Sequence, residues 1–233
     1  MTRVFIVQHA EFEGPGAIAD WAAARGYEVT TVAAAGGDFP LAGKGDLLVV
    51  LGGPMSAGDE ALHPWLAAEK RAIRSAVDAG ARVLGVCLGA QILASVLGAS
   101  VGRNPEPEIG WFPIQLTPPA RTSPVFGAFS DGATVGHWHG DTFDLPPGAT
   151  RIATSEACAN QAFEYADGRV VGVQFHLEWT AESVDALLGT CASDLVPGSH
   201  VVTAKEFSAG EREHGPECRR LLYALLDGMA ILG

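Results

Sequence analysis

The stretch VLGVCLGAQILASVLG, residues 83–98, runs from an apolar β-rich segment into an apolar helical one, with a single cysteine, Cys87, at the joint. A side chain at such a joint stands above a sheet edge. The N–H groups that open the following helix point towards it, and a helix start favours negative charge. Both effects favour a thiolate. Gly85 and Gly89 flank the cysteine and leave the room that a sharp strand-to-helix turn needs. This is the physical logic of a nucleophile elbow, with cysteine in the serine position. A buried packing thiol between small residues is the plain alternative, and the rest of the chain must separate the two.

Working outward, strands alternate with helices. RVFIVQ is β-rich, GPGAIADWAAARG is helical and closes at Gly26, and YEVTTV and DLLVVLGG are further strands. ALHPWLAAEKRAIRSAVDAG is a long amphipathic helix closing at Gly80, just before the strand that leads to Cys87. This alternation predicts a flavodoxin-like three-layer αβα domain with a mostly parallel central sheet. Right-handed crossovers put the carboxyl ends of its strands on one edge, where ligand chemistry gathers. The second half is richer in β. WFPIQLTP, ATVGHWH, TRIATSE, AFEYAD and RVVGVQFH are expected to continue the same sheet as a mixed one, with a hairpin at Asp167-Gly168. ESVDALLGTCA and PECRRLLYALLDGM read as closing helices, and the polar stretch between them has no clear assignment. Residues 1–193 are expected to form the main domain, and residues 194–233 an extension packed on it.

Composition narrows the function. Of 233 residues, 48% are hydrophobic, enough for a large interior, and 15 basic residues against 27 acidic ones give a net charge of −12. Such a chain has no general attraction for nucleic acid or anionic lipid. No leader-like start and no run of membrane-spanning length is evident, and Cys87, Cys158, Cys191 and Cys218 form no CxxC pair. The expectation is a cytoplasmic protein with free thiols and neither nucleic acid nor membrane as partner. Cys191 and Cys218 fall in helical stretches and read as packing residues.

A cysteine nucleophile requires a base and a group that orients the base. VVGVQFHLEWT supplies both: His176 follows an apolar strand, and Glu178, two residues on, shares its face if the extended conformation persists. A zinc site using His176, Glu178, His137 and His139 has only weak spacing support, and no metal is expected. VVLGGPMS ends another strand on the same edge. The N–H of Gly53, with that of Leu88, could hold the oxyanion formed on attack at an amide.

Together these segments resemble the class I, or triad, glutamine amidotransferases, from the first strand to about Thr180, and most closely their stand-alone, γ-glutamyl hydrolase-like branch. VLGVCLGAQILA resembles the family's elbow, GVQFHLE its base-and-carboxylate signature and LGGPMS its oxyanion strand. The resemblance implies Cys87, His176 and Glu178 as the catalytic residues, Gly53 and Leu88 as the oxyanion hole, and Gln91, His139 and Asp141 as contacts to the glutamyl group. His9, Glu11 and Glu13, in the loop QHAEFEGPG, are candidates for substrate choice. The implied reaction is hydrolysis of a γ-glutamyl amide through a glutamyl-thioester, without cofactor. No GxxxxGK[ST] phosphate loop occurs, so hydrolysis independent of ATP is expected. Three alternatives stay open. One is ammonia supply to a separate synthase. Another is a different cysteine hydrolase of this sheet type, such as a peptidase or a deglycase. The third is a catalytically silent binding module. The oligomeric state is not legible.

Overall fold

The computed structural model describes residues 3–232. In chain order the first half holds β1 (Arg3–Gln8), α1 (Ala17–Ala24), β2 (Glu28–Ala33), β3 (Leu47–Val50), α2 (Trp65–Asp78), β4 (Arg82–Val86) and α3 (Leu88–Val96). The second half holds β5 (Val101–Pro113), β6 (Gln115–Leu116), β7 (Thr134–Phe143), β8 (Thr150–Thr154), β9 (Ala162–Tyr165), β10 (Val170–Val173), α4 (Ala181–Cys191) and α5 (Ala204–Ala230).

Eight strands form one mixed sheet in the order β2-β1-β3-β4-β10-β9-β8-β6. The five from β2 to β10 run parallel, and the rest are antiparallel. The parallel part is the flavodoxin-like arrangement. Alternation along the strands feeds two cores. Val4, Ile6, Leu47, Val49, Leu84 and Val86 face α1 and α5. Val7, Leu48, Val50 and Val83 face α2 and α3. Each such buried aliphatic side chain contributes roughly 1.5–3 kcal/mol. One strained residue at the sheet edge is therefore easily tolerated. The β9–β10 connection is the expected hairpin, with Ala166, Asp167 and Gly168 all at positive φ.

Two expectations need correction. First, the second half does not all join the sheet. β5 and β7 pair with each other as a separate antiparallel ribbon, with a register shift between Arg103 and Glu108 and with no other named strand as partner among the described residues. Pro105 and Pro107 lie in that shifted stretch and have no N–H to give a sheet ladder. Second, the closing helix begins at Ala204, not near Pro216. Thr203 and Glu206 form a reciprocal capping box at its start. Its buried face runs Phe207, Gly210, Glu211, Gly215, Cys218, Leu221 and Leu222. Small and polar residues occupy the early part of that face, so no apolar stripe announces it. Gly210 is required there, because a Cβ would lie 2.1 Å from Cδ1 of Trp111. The far end of α5 shares a core with α1, and Asp227 accepts from the Trp21 indole at 3.0 Å. Among the described residues, no helix is long and apolar enough to cross a membrane.

Candidate active site

Cys87 caps α3 with φ 51° and ψ −110°. Positive φ at a non-glycine residue costs about 1–3 kcal/mol. The surroundings hold it: Cys87 N–H donates to Val173 O at 2.8 Å, and Gly89 N–H to Leu51 O at 3.1 Å. The two flanking glycines are forced by close approach. A Cβ on Gly85 would meet Gly89 O at 2.5 Å, and one on Gly89 would meet Val50 O at 2.0 Å.

Beyond β10 the chain bends at Gln174, Phe175 and Leu177. Between the bends His176 pairs with Gly136, its N–H donating to the Gly136 carbonyl at 2.8 Å. Gln174 and Glu178 flank it two residues away on either side, and all three are buried. His176 Nδ1 lies 2.6 Å from Glu178 Oε1, and Glu178 Oε2 accepts from Leu177 N–H at 3.0 Å. Burial disfavours the imidazolium. The Glu178 charge and the hydrogen bonds with Cys87 and Glu178 outweigh it and hold the His176 pKa well above the ordinary histidine value. Nδ1 is thus turned to Glu178, while the Cys87 thiol donates to the Trp138 carbonyl at 3.7 Å.

Gly53 sits between two neighbours. A Cβ on it would be 2.8 Å from His9 Cβ and 2.9 Å from Leu88 Cδ2. Among the described residues, neither Gly53 N–H nor Leu88 N–H donates to a protein acceptor. A cavity of about 530 Å³ opens here, and Gly53, Cys87, Leu88, Gln91, His139 and Asp141 all line it. Within it, Gln91 Nε2 donates to Asp141 O and to Gln174 Oε1, each at 3.2 Å. Asp141 Oδ2 accepts from Ser56 at 3.0 Å. Both ring nitrogens of His139 are engaged inside the protein, with Asp141 O at 3.0 Å and Glu108 Oε2 at 2.9 Å. Its contribution to the cavity is therefore one of shape.

The loop after β1 does not act as a unit. Glu11 is exposed. Glu13 turns inward beside His176: a Cβ on Gly52 would meet Glu13 Oε2 at 2.2 Å and His176 Cε1 at 3.2 Å. Burial, reinforced by the Glu178 charge, raises the Glu13 pKa against the pull of His176. His9 is buried behind Gly53.

Two side chains at the site were not anticipated. Gln174 Nε2 lies 3.5 Å from Cys87 Sγ. Its even spacing from His176 and Glu178 was the available signal. Trp179 stacks on His176, and the α5 residue Arg219 donates to its carbonyl at 2.8 Å. All four cysteines are free, and Cys191 lines the small cavity that Cys87, Glu13 and His176 share. Burial raises Cys158, and it pushes Cys218 up to about 12.

Glu108, His137 and His139 bring one ligand-type atom each within 4.8 Å of one another. The Glu108 carboxylate is already hydrogen-bonded to Ser155, His139 and Gln161 at 2.6, 2.9 and 2.7 Å. Glu108, His139, Ser155 and Gln161 thus form a buried hydrogen-bonded network at the ribbon, while both ring nitrogens of His137 are buried beside it without a hydrogen-bond partner.

The glutamine amidotransferase class-I family model matches residues 16–188, from the start of α1 through most of α4. The chain belongs to the class-I glutamine amidotransferase family. Its similarity to the glutamine amidotransferase-like protein YfeJ of Salmonella typhimurium is 40% identity over 191 residues, 80% of each chain. A solved structure of a glutamine amidotransferase from Thermotoga maritima superposes with a TM-score of 0.88 at 32% identity, covering 98% of both chains. GMP synthase [glutamine-hydrolyzing] of Vibrio atlanticus is 32% identical over 136 residues, which are 58% of this chain and 24% of that synthase. In this chain Cys87 lies between the parallel strand β4 and the helix α3, at the carboxyl end of that strand.

Proposed function

We propose that this protein hydrolyses the γ-glutamyl C–N bond of glutamine or a γ-glutamyl amide, with Cys87 as nucleophile, His176 as acid and base, and Glu178 as its orienting carboxylate. The observation that carries the reading is the place of Cys87, held at positive φ, between two adjoining cavities: it shares one with Gly53 and Leu88, whose N–H groups are unengaged, and a smaller one with His176, whose imidazole is buried 2.6 Å from a carboxylate.

In the first half-reaction the Cys87 thiol gives its proton to His176 Nε2, and sulfur bonds to the δ-carbonyl carbon. The oxyanion sits on the Gly53 and Leu88 N–H groups, each such donor contributing about 2.7–4 kcal/mol. The C–N bond breaks as His176 returns the proton to the leaving nitrogen, freeing ammonia or an amine. In the second half-reaction His176 takes a proton from water, the hydroxide attacks the thioester, and sulfur leaves as its proton is restored. Gln91 and Asp141 bind the α-amino and α-carboxyl end of the glutamyl group, and His139 shapes its pocket.

The test is a mass-spectrometric panel of glutamine, γ-glutamyl dipeptides and glutathione conjugates, with Cys87→Ala as control. Release of glutamate that disappears in C87A is expected. Activity retained in C87A, or cleavage of α-peptides or glycated amines instead, overturns the reading.

A second reading is favoured by the similarity to a glutamine-hydrolysing GMP synthase: the chain supplies ammonia to a separate synthase. Glutamine turnover that appears only when a synthase is added would select it.

A further inference from the structure

Behind Gly53 lies a buried ion pair that the reaction above does not use. His9 closes β1 and Glu69 lies in α2, and both side chains are fully buried. His9 Nε2 is 2.9 Å from Glu69 Oε1, and His9 Nδ1 is 3.0 Å from the Gly52 carbonyl oxygen. Among the described residues, neither side chain is hydrogen-bonded to Cys87, His176 or Glu178.

The Gly52 carbonyl and the Gly53 N–H belong to the same peptide. That peptide is trans, so its C=O and N–H point in opposite directions. Holding the oxygen on one side aims the N–H on the other. A glycine pair is the dipeptide most free to rotate such a plane, so without a clamp the N–H would sample several directions. We infer that His9, backed by Glu69, is a positioning residue that fixes the Gly52–Gly53 peptide and thereby aims the Gly53 N–H at the oxyanion. This rests on the proposed hydrolysis, because it presumes that Gly53 is a donor there.

The proton count supports a strong clamp. A carbonyl oxygen only accepts, so Nδ1 carries a hydrogen. The contact to Glu69 needs another. The pair therefore holds two protons, and an imidazolium against a carboxylate makes Nδ1–H a charge-assisted donor. Burial opposes the charge on His9, and Glu69 outweighs it, raising the His9 pKa.

The experiment compares His9→Ala, His9→Asn, Glu69→Leu and Glu69→Gln with the wild type. Four quantities are read: kcat, KM, the rate of Cys87 alkylation by iodoacetamide, and the 52–53 peptide orientation in crystals. Alkylation forms no oxyanion, so it reports the thiolate alone. H9A and E69L are expected to lower kcat by about 10–100-fold, with KM and alkylation within about threefold of wild type and the peptide turned. Asn at position 9 places an amide N–H where Nδ1 was, and Gln at position 69 can donate to a neutral imidazole. Both should recover at least about a third of wild-type kcat, and both remain informative if H9A does not fold. Wild-type kcat in H9A, or alkylation that falls in step with kcat in H9A or H9N, overturns the inference. An unturned peptide in E69L or H9A crystals also overturns it. A wild type that hydrolyses no γ-glutamyl compound sinks the proposed function instead, and the peptide orientation still decides the clamp.

Discussion

The Trp179 indole lies flat on the His176 imidazole, with ring centroids 4.0 Å apart and planes 13° from parallel. Glu178 fixes one edge of the imidazole, and Trp179 fixes its plane. An aromatic pair of this kind contributes about 0.5–1.5 kcal/mol, so Trp179→Ala should lower kcat by roughly 3–10-fold. Trp179→Phe, which keeps a stacking face, should recover most of it. Steady-state kinetics on both variants checks this, and equal rates for W179A and wild type would rule it out.

Glu178→Gln keeps the size of the side chain and removes the charge 2.6 Å from His176 Nδ1. A neutral amide can present either an oxygen or an N–H to that nitrogen, so the tautomer is no longer fixed. Loss of a carboxylate in this role costs about 10⁴ in kcat in a comparable triad, and a drop of at least 10²-fold is expected here. Circular dichroism should remain that of wild type.

The two elbow glycines should fail differently from Gly53. Gly89→Ala drives a Cβ to 2.0 Å from a sheet carbonyl, that of Val50. Backbone must move, and poor expression or a lowered Tm should follow. Gly53→Ala meets only side-chain atoms of His9 and Leu88 at 2.8 and 2.9 Å. It should fold and lose turnover. A Gly53→Pro protein, which lacks that N–H, as active as wild type would remove Gly53 from the oxyanion role.

Acid sensitivity should come from beneath the ribbon. Burial pushes His137 down to about 3, while the unfolded chain takes up the proton near pH 6.5. The unfolded state thus binds more protons between these values, and stability falls as pH drops through that window. Between pH 7 and pH 5 the loss is about 2 kcal/mol. Glu108 adds to it at lower pH. Burial works against its charge, but the hydrogen bond from His139 and the neighbouring histidines hold it down to about 2. The stability it brings is complete above its ordinary value of 4.5 and is lost as pH falls towards 2. Urea titrations from pH 7 to pH 5 should show His137→Leu with a flatter dependence than wild type.

Much of this architecture is written locally. Alternating strand and helix patterns around residues 83–98 carry the parallel sheet, and the Asp167-Gly168 pair marks its hairpin. His176 and Glu178 are neighbours in sequence, so their pairing is local. What was not legible depends on distant segments meeting. His9 and Glu69 are 60 residues apart, and nothing local distinguishes His9 from a loop residue. Trp179 acquires its role from β10 and α5 together. The start of α5 is not legible because Gly210, against Trp111, and Gly215, against Glu211 and Arg219, break the apolar stripe of its inner face. Gln174 is legible only through its even spacing from His176 and Glu178.

The central pairing of β4 with β10 has a consequence for biosynthesis. Cys87 leaves the ribosome at the end of a strand whose partner, Val170–Val173, is made much later. His176 and Glu178 come later still, and Arg219, which holds the Trp179 carbonyl, later again. On the proposed mechanism, a nascent or truncated chain that stops short of these residues carries the cysteine without its base. Activation of the sulfur then comes only once nearly the whole polypeptide has been translated and folded, and a prematurely terminated product keeps an ordinary thiol at position 87.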